Sequence, residues 1–286
     1  MLRLARLTSA LALALLVPLA ACGPGHETVA AESSALSGKL TLTGSSTVAP
    51  LVAEIAKRFE AEHPGVRIDV QTGGSGRGIA DARSGLADIG MASRALKPDE
   101  AAELDAHTIA RDGVCVIVHA QNPIESLTDD QVRAIYTGEV ERWSEVGGAD
   151  EPITVVNKAS GRATLEVFLA YFALAEQDIE ADVVIGDNQQ GIKTVVGNPS
   201  AIAYVSIGTA EHDVANGVPL KLLPTAGVPA TTKSVGAGEF PIGRPLELVT
   251  SGELSALQRA FIDSCRSAEV HDVVRDLAFV PVKTDP

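Results

Sequence analysis

Beyond residue 37 the chain alternates two patterns of apolar positions. Short apolar runs predict strands, and longer stretches with apolar residues three and four apart predict helices. Strands are expected at 39–43, 66–71, 87–91 and 113–118, and helices at 50–63, from 78 to 84, and at 98–104. In 50–63, Leu51, Ile55 and Phe59 share one stripe, and Pro64-Gly65 marks the turn that follows. A second series begins with a helix at 128–136, where Thr128 offers a cap and Asp129 and Asp130 fill the first turn. It continues with a strand at 153–156, an amphipathic helix at 162–174, a helix at 189–196 and a strand at 202–206. A strand at 246–249 and helices at 255–265 and 270–277 complete the pattern. Strands alternating with helices indicate an α/β architecture. No internal repeat is present.

The first 37 residues are patterned differently. Arg3 and Arg6 precede an apolar stretch from Leu7 to Ala21, interrupted by Pro18. That stretch is shorter than the roughly 20 residues of a comfortable membrane span, and it reads as an export signal over residues 1–21. It ends Leu19-Ala20-Ala21-Cys22-Gly23. This ending resembles the lipobox of bacterial lipoproteins, which implies lipidation of Cys22 as the mature N-terminus. An ordinary secretory signal with an incidental cysteine is the plainer alternative. Residues 22–37 are small, polar and aperiodic, as expected of a flexible tether. No second stretch is long and apolar enough to span, so membrane attachment is expected through the lipid alone. Of the other cysteines, Cys115 lies in a buried-strand pattern and Cys265 in an expected helix. An exported chain permits a disulfide between them, but two buried free thiols are expected.

Composition narrows the function classes. The 286 residues suffice for about two domains. With 45% hydrophobic and 21% charged residues, the class is soluble globular. There are 23 basic residues against 37 acidic, a formal charge of −14, and loss of Arg3 and Arg6 with the signal makes it about −16. A nucleic-acid partner would call for a basic patch or stripe, so none is expected; nor is charge-driven binding to anionic lipid. Six Phe, three Tyr and one Trp leave little for aromatic platforms. Trp143 is expected to anchor packing. The six histidines stand singly and form no metal-like pair, so no metal and no cofactor is expected. No Gly-x-Ser-x-Gly elbow or nucleophile–base pair is visible, so no catalytic residue is assigned and the chain does not read as an enzyme.

Three segments share one design, a Gly/Ser/Thr-rich turn that opens a helix. They are Thr43-Gly-Ser-Ser-Thr-Val-Ala-Pro50, Thr72-Gly-Gly-Ser-Gly-Arg-Gly78 and Ala159-Ser-Gly-Arg-Ala-Thr164. A helix N-terminus offers unpaired N–H donors and partial positive charge, which suits an anion. Each turn taken alone reads as ordinary capping. None matches a phosphate loop of the Gly-Lys-Ser/Thr kind or a dinucleotide fingerprint. Three together are consistent with convergence on one small oxyanion.

Over residues 40–278 the chain resembles the PstS family, the phosphate-binding component of bacterial phosphate ABC transporters. The resemblance rests on Gly44-Ser-Ser-Thr-Val-Ala-Pro50, Gly73-Gly-Ser-Gly-Arg-Gly-Ile79 and Asp88-Ile-Gly-Met-Ala-Ser-Arg94. It rests also on Leu127-Thr-Asp-Asp-Gln-Val-Arg-Ala-Ile-Tyr-Thr-Gly-Glu-Val-Glu-Arg-Trp143 with Gly147-Gly148, on Asn198-Pro-Ser-Ala-Ile-Ala-Tyr-Val205, and on Arg244-Pro-Leu246. It implies a type II periplasmic-binding-protein fold: two α/β lobes, joined by a hinge of two crossings, with the ligand in the cleft. Lobe I is expected over 38–118 and 245–286 and lobe II over 119–244, with crossings near 118–123 and 240–246.

Carried over by position, the ligand set comprises Ser46, Thr47 and the Val48 amide, Ser75, then Ser93 and Arg94. Ser160, Gly161, Arg162 and Thr164 are the candidates in the other lobe, where the loop aligns on either Arg162 or Thr164. Arg94 and Arg162 suit paired donation to oxyanion oxygens, or pairing with surface carboxylates; Arg77 is expected at the rim. The third loop, Met91-Ala-Ser-Arg94, lacks the Asp that some family members use to accept a proton from phosphate. Sulfate, arsenate or molybdate therefore stays open as ligand, as does a non-transport adhesion or signalling role. The implied partners are inorganic phosphate and an ABC permease, with the protein a monomer on the outer side of the cell membrane, facing periplasm or exterior.

Overall fold

The computed structural model describes residues 36–283. The export signal, Cys22 and nearly all of the tether lie outside them. Strand β1 (Ser37–Gly44) leads to helix α1 (Ala49–Glu62), strand β2 (Gly65–Thr72) to α2 (Ser75–Ser84), and β3 (Ile89–Ala92) to the single turn of α3 (Pro98–Ala101). Then come the long β4 (Asp105–His119), α4 (Asp129–Tyr136), β5 (Thr154–Lys158), α5 (Ala163–Phe172), β6 (Val183–Ile185) and α6 (Asn188–Gly197). The chain continues through β7 (Ala201–Ser206), α7 (Ile207–Ala215), β8 (Leu220–Leu222), α8 (Thr232–Ala237) and β9 (Gly243–Thr250). Helices α9 (Ala256–Arg266) and α10 (His271–Asp276) and the short β10 (Val280–Pro281) close the fold.

The strands order as β2-β1-β3-β9-β4-β7-β5-β6, with β8 and β10 also pairing with β4. β1 runs parallel to β2 and β3, and β5 parallel to β6 and β7. β4 is antiparallel to β9 over its first half and to β7 over its second. Two large cores result, one for each α/β lobe, with a small third cluster of Ile79, Ala82, Ala92, Leu104 and Val249 beside the first. The first contains Leu42, Leu51, Ile55, Phe59, Ile89 and Phe261; the second contains Ile117, Tyr136, Trp143, Phe168 and Tyr204. Along β4 the change of core falls between Ala110 and Val114, ahead of the crossing expected at 118–123, because Val114–Val118 pack wholly into the second core. The return falls between Ile242 and Leu246.

Two boundaries differ instructively from the sequence reading. α2 starts at Ser75 and not at residue 78, so the glycines of Ser75-Gly-Arg-Gly78 are helical. Gly74, at φ +96°, supplies the left-handed turn that admits the helix early. β4 begins at Asp105 rather than 113, since its first half pairs with β9 despite a polar sequence. α7 escapes the sequence pattern because Ser206 ends β7 and caps α7 at once, its Oγ accepting from the Thr209 amide. Trp143 is buried and its Nε1 donates to the Ser200 carbonyl at 2.9 Å. Cys115 and Cys265 are free, buried, and in separate cores. Among the described residues no helix is long and apolar enough to cross a membrane.

Candidate functional site

Parallel strands present their carboxyl ends, and the loops that follow them, at the same edge. In both lobes that edge faces the other lobe. A small cavity lies there, lined by Ser45, Ser46 and Thr47 after β1, Gly74 and Ser75 after β2, and Ser93 after β3. The second lobe adds Lys158 at the end of β5, Arg162, Ala163 and Thr164 at the start of α5, and Gly186, Asp187 and Asn188 between β6 and α6. The cavity is tight, about 10 Å³, on the order of one water-sized sphere and far below the usual range for a drug-sized ligand. Helices α1, α2, α5 and α6 all begin at this cavity, so their N-terminal partial charges converge on it.

The residues expected from sequence divide into three groups. Ser46, Thr47, Ser75, Ser93, Arg162 and Thr164 line the cavity together. Ser75 is 1% exposed; its Oγ accepts from the Ser93 amide at 3.1 Å and lies 3.4 Å from Ser93 Oγ. Thr47 Oγ1 accepts from Asn188 Nδ2 at 3.1 Å, across the cleft. Ser160 and Gly161 stand outside, at the exposed turn. Ser160 Oγ contacts Glu176, and the Gly161 carbonyl accepts from the Gly76 amide of the other lobe at 3.1 Å. Val48 and Arg94 are turned to structural partners. Ser45 Oγ accepts from the amides of Thr47 and Val48, at 3.2 and 3.3 Å. The Arg94 guanidinium is forked onto Glu100, at 2.7 and 2.9 Å, and its Nε lies 3.1 Å from Glu166. Arg94 thus pairs with buried and half-buried carboxylates, not with the cavity. Arg77 is half-exposed beside Asp81.

Four further residues build the site. Asn188 is its crosslink: Oδ1 accepts from Lys158 Nζ at 3.1 Å while Nδ2 donates to Thr47. Arg244, at the return crossing, is buried and donates to Asp112 through Nε and Nη2 at 3.1 and 2.8 Å. Its Nη1 donates to Thr164 Oγ1 at 2.9 Å and to Ser93 Oγ at 3.4 Å, touching one hydroxyl from each lobe. Ser45 and Lys158 complete the set. Burial holds the Lys158 ammonium down to about 7, helped by the nearby cations Arg244 and Arg162 and opposed by Asp187. The cavity therefore combines hydroxyls, helix N-termini and cationic side chains, with the single carboxylate Asp187 at its wall. Such a lining suits a compact anion, and its residues include no nucleophile held by a base.

Comparison with known proteins gives this arrangement a family. The profile described as a PBP superfamily domain matches residues 29–267. The phosphate-binding protein PstS of Bacillus subtilis (strain 168) is 30% identical over 274 residues, which span 92% of this chain and 89% of that protein. The chain belongs to the PstS family. PstS proteins are substrate-binding transport components and not enzymes. Two solved structures agree with the fold. A phosphate ABC transporter substrate-binding protein from Clostridium perfringens, with bound phosphate, superposes at a TM-score of 0.79 with 32% identity. It covers 86% of this chain and the whole of that one. An ABC-type phosphate transport receptor from Vibrio cholerae gives 0.71 with 27% identity, over 85% of this chain and all of that one. The two lobes joined through β4 and β9 are the type II periplasmic-binding-protein fold of these PstS relatives.

Proposed function

We propose that this protein binds inorganic phosphate between its lobes and delivers it to an ABC permease, held at the membrane by a lipid on Cys22. The observation that carries the reading is the cavity itself. Donors from five loop segments, drawn from both lobes, converge on a space suited to one small tetrahedral anion. Thr47, Ser75 and Ser93 face Lys158, Arg162 and Thr164 across it. The family to which the chain belongs supports phosphate as the anion. Residues 22–37 would act as tether, and the two lobes, which exchange between Ala110 and Val114 on β4 and between Ile242 and Leu246 on the return, would close by the hinge of β4 and β9. The chain would work as a monomer.

Hydrogen bonds to charged groups contribute about 1.5–3 kcal/mol each, and about 1.4 kcal/mol is tenfold in affinity. Titration calorimetry on protein freed of co-purified ligand by unfolding and refolding should therefore show phosphate binding in the wild type. The Ser75→Ala, Arg162→Ala double variant should bind at least about 100-fold more weakly. No heat with phosphate sinks the reading, and full affinity in the double variant misplaces the site. A second ligand reading is favoured by one observation: the third loop reads Met91-Ala-Ser-Arg94, without an acid. Sulfate, arsenate and molybdate belong in the same titrations, and a sulfate affinity equal to that for phosphate would move the assignment.

A further inference from the structure

We infer that Lys158 is a proton-taking contact of the anion: its amine gives up its proton readily when the cavity is empty and holds its charge once the anion has entered. Binding is then coupled to uptake of a proton. This rests on the phosphate reading above and names a residue and a linkage beyond it.

The argument starts from what surrounds the amine. Lys158 ends β5 and is 3% exposed, yet it lines the cavity. Its Nζ has one hydrogen bond, to the neutral amide oxygen of Asn188 at 3.1 Å. An ammonium has three N–H groups, and no carboxylate pairs with this one among the described residues. The charged groups around it come from four elements. Arg244 on β9 is cationic but is already matched to Asp112 on β4. Arg162, at the head of α5, adds a second positive charge. Asp187, at the head of α6, is the one opposing charge facing the amine, and its Oδ1 already accepts from the Gln190 amide at 2.8 Å. From β7, Tyr204 offers a hydroxyl that accepts from the Lys158 main-chain amide at 3.2 Å. Burial is the largest influence on the amine and brings it down to about 7. No histidine lines the cavity.

A charged amine here has little solvent, one neutral partner and two guanidiniums as neighbours. Neutralisation is the cheaper state of an isolated buried lysine. An oxyanion in the cavity reverses the balance. It supplies the missing counter-charge and accepts the two unused N–H groups, so the ammonium becomes the favoured form. The proton comes from solvent, and no bond other than N–H is formed. The sign follows directly. Above the empty-state value the free protein must take up a proton to bind, so affinity falls as pH rises, by about tenfold per unit.

The test compares the wild type with Lys158→Arg, whose guanidinium keeps its proton throughout. Calorimetry with inorganic phosphate at about pH 8, in buffers of different ionisation enthalpy, counts the protons exchanged. Phosphate's own titration is common to both proteins and cancels. The wild type should take up close to one more proton per phosphate than the variant, and should lose affinity more steeply between about pH 7.5 and 9. Equal proton counts with parallel pH profiles overturn the coupling alone. Absence of phosphate binding by the wild type overturns the phosphate reading and the coupling together. A measurement free of any variant is carbon-13 NMR of the lysine ε-carbons. One lysine should titrate near neutrality in the ligand-free protein and cease to do so when phosphate saturates it. Ligand-free lysines that all titrate in the ordinary range overturn the inference.

Discussion

Glu247 shows at a single residue what burial asks of a charge. It sits on β9 between Ala92 of β3 and Thr108 of β4, 6% exposed. Its Oε2 has no hydrogen-bond partner among the described residues. Burial pushes its carboxyl up to about 7, against the pull of the Thr108 hydroxyl and Arg94. The folded protein therefore holds this proton more tightly than the unfolded chain does. The resulting stability is present at low pH and is lost as pH rises towards and through 7. Glu247→Gln removes the titration while keeping the shape. Its melting temperature should exceed the wild type's at pH 8, by an amount worth about 1–3 kcal/mol, and the gap should shrink at pH 5. Thermal melts at both pH values check this, and an equal shift at both would contradict it. Ser46, Thr47, Ser75 and Thr164 are legible in the sequence because each belongs to a local helix-opening turn, and Ser93 through the resemblance of Asp88–Arg94 to the family's third loop. Arg94 is not, because a guanidinium's direction depends on partners: Glu100, six residues on, captures it. Lys158 and Asn188 were missed for the opposite reason. Each reads locally as a strand end or an ordinary first turn, and only the parallel pairing of β5 with β6 brings them together.

At the scale of elements, α2 carries the argument. Its N-terminus delivers Ser75 to the cavity, and its flank lies directly on β1 and β3. A Cβ at Gly78 would meet the Thr43 carbonyl oxygen at 2.6 Å, Gly44 Cα at 2.7 Å and the Met91 carbonyl oxygen at 2.8 Å. All three are backbone atoms, so no side chain can turn aside. Gly78→Ala should push the helix off the sheet, cost about 2 kcal/mol or more, and weaken phosphate binding by moving Ser75. Gly197→Ala makes the contrast, since a Cβ there meets nothing within 4 Å at the last residue of α6. That change should be neutral or gain up to about 1 kcal/mol. Denaturant melts of the pair test the packing directly, and similar losses in both would contradict it. These contacts also explain the misread start of α2. Glycines that usually signal a loop are here the condition for a helix to approach a sheet.

Across the whole molecule the lobes meet through specific contacts, not through bulk charge. Gly76 donates to Gly161, Asn188 to Thr47, and Arg244 to hydroxyls on both sides. Beside the cavity, Glu166 of α5 lies 3.1 Å from Arg94 and 2.7 Å from Lys97, both in the first lobe. Glu166→Gln should favour the open arrangement and weaken phosphate binding by up to about tenfold, at a site that phosphate never touches. Calorimetry with small-angle scattering checks both effects; unchanged affinity and dimensions would remove Glu166 from closure. The formal charge of −14 does not oppose an anionic ligand, because screening at physiological salt acts over about 8 Å. What decides is the local lining. The most direct test is a crystal structure of the protein grown with phosphate. Phosphate should lie between the lobes, within hydrogen-bond distance of Thr47, Ser75, Ser93, Lys158, Arg162 and Thr164. Phosphate bound elsewhere, or a cavity that excludes it, would contradict the account.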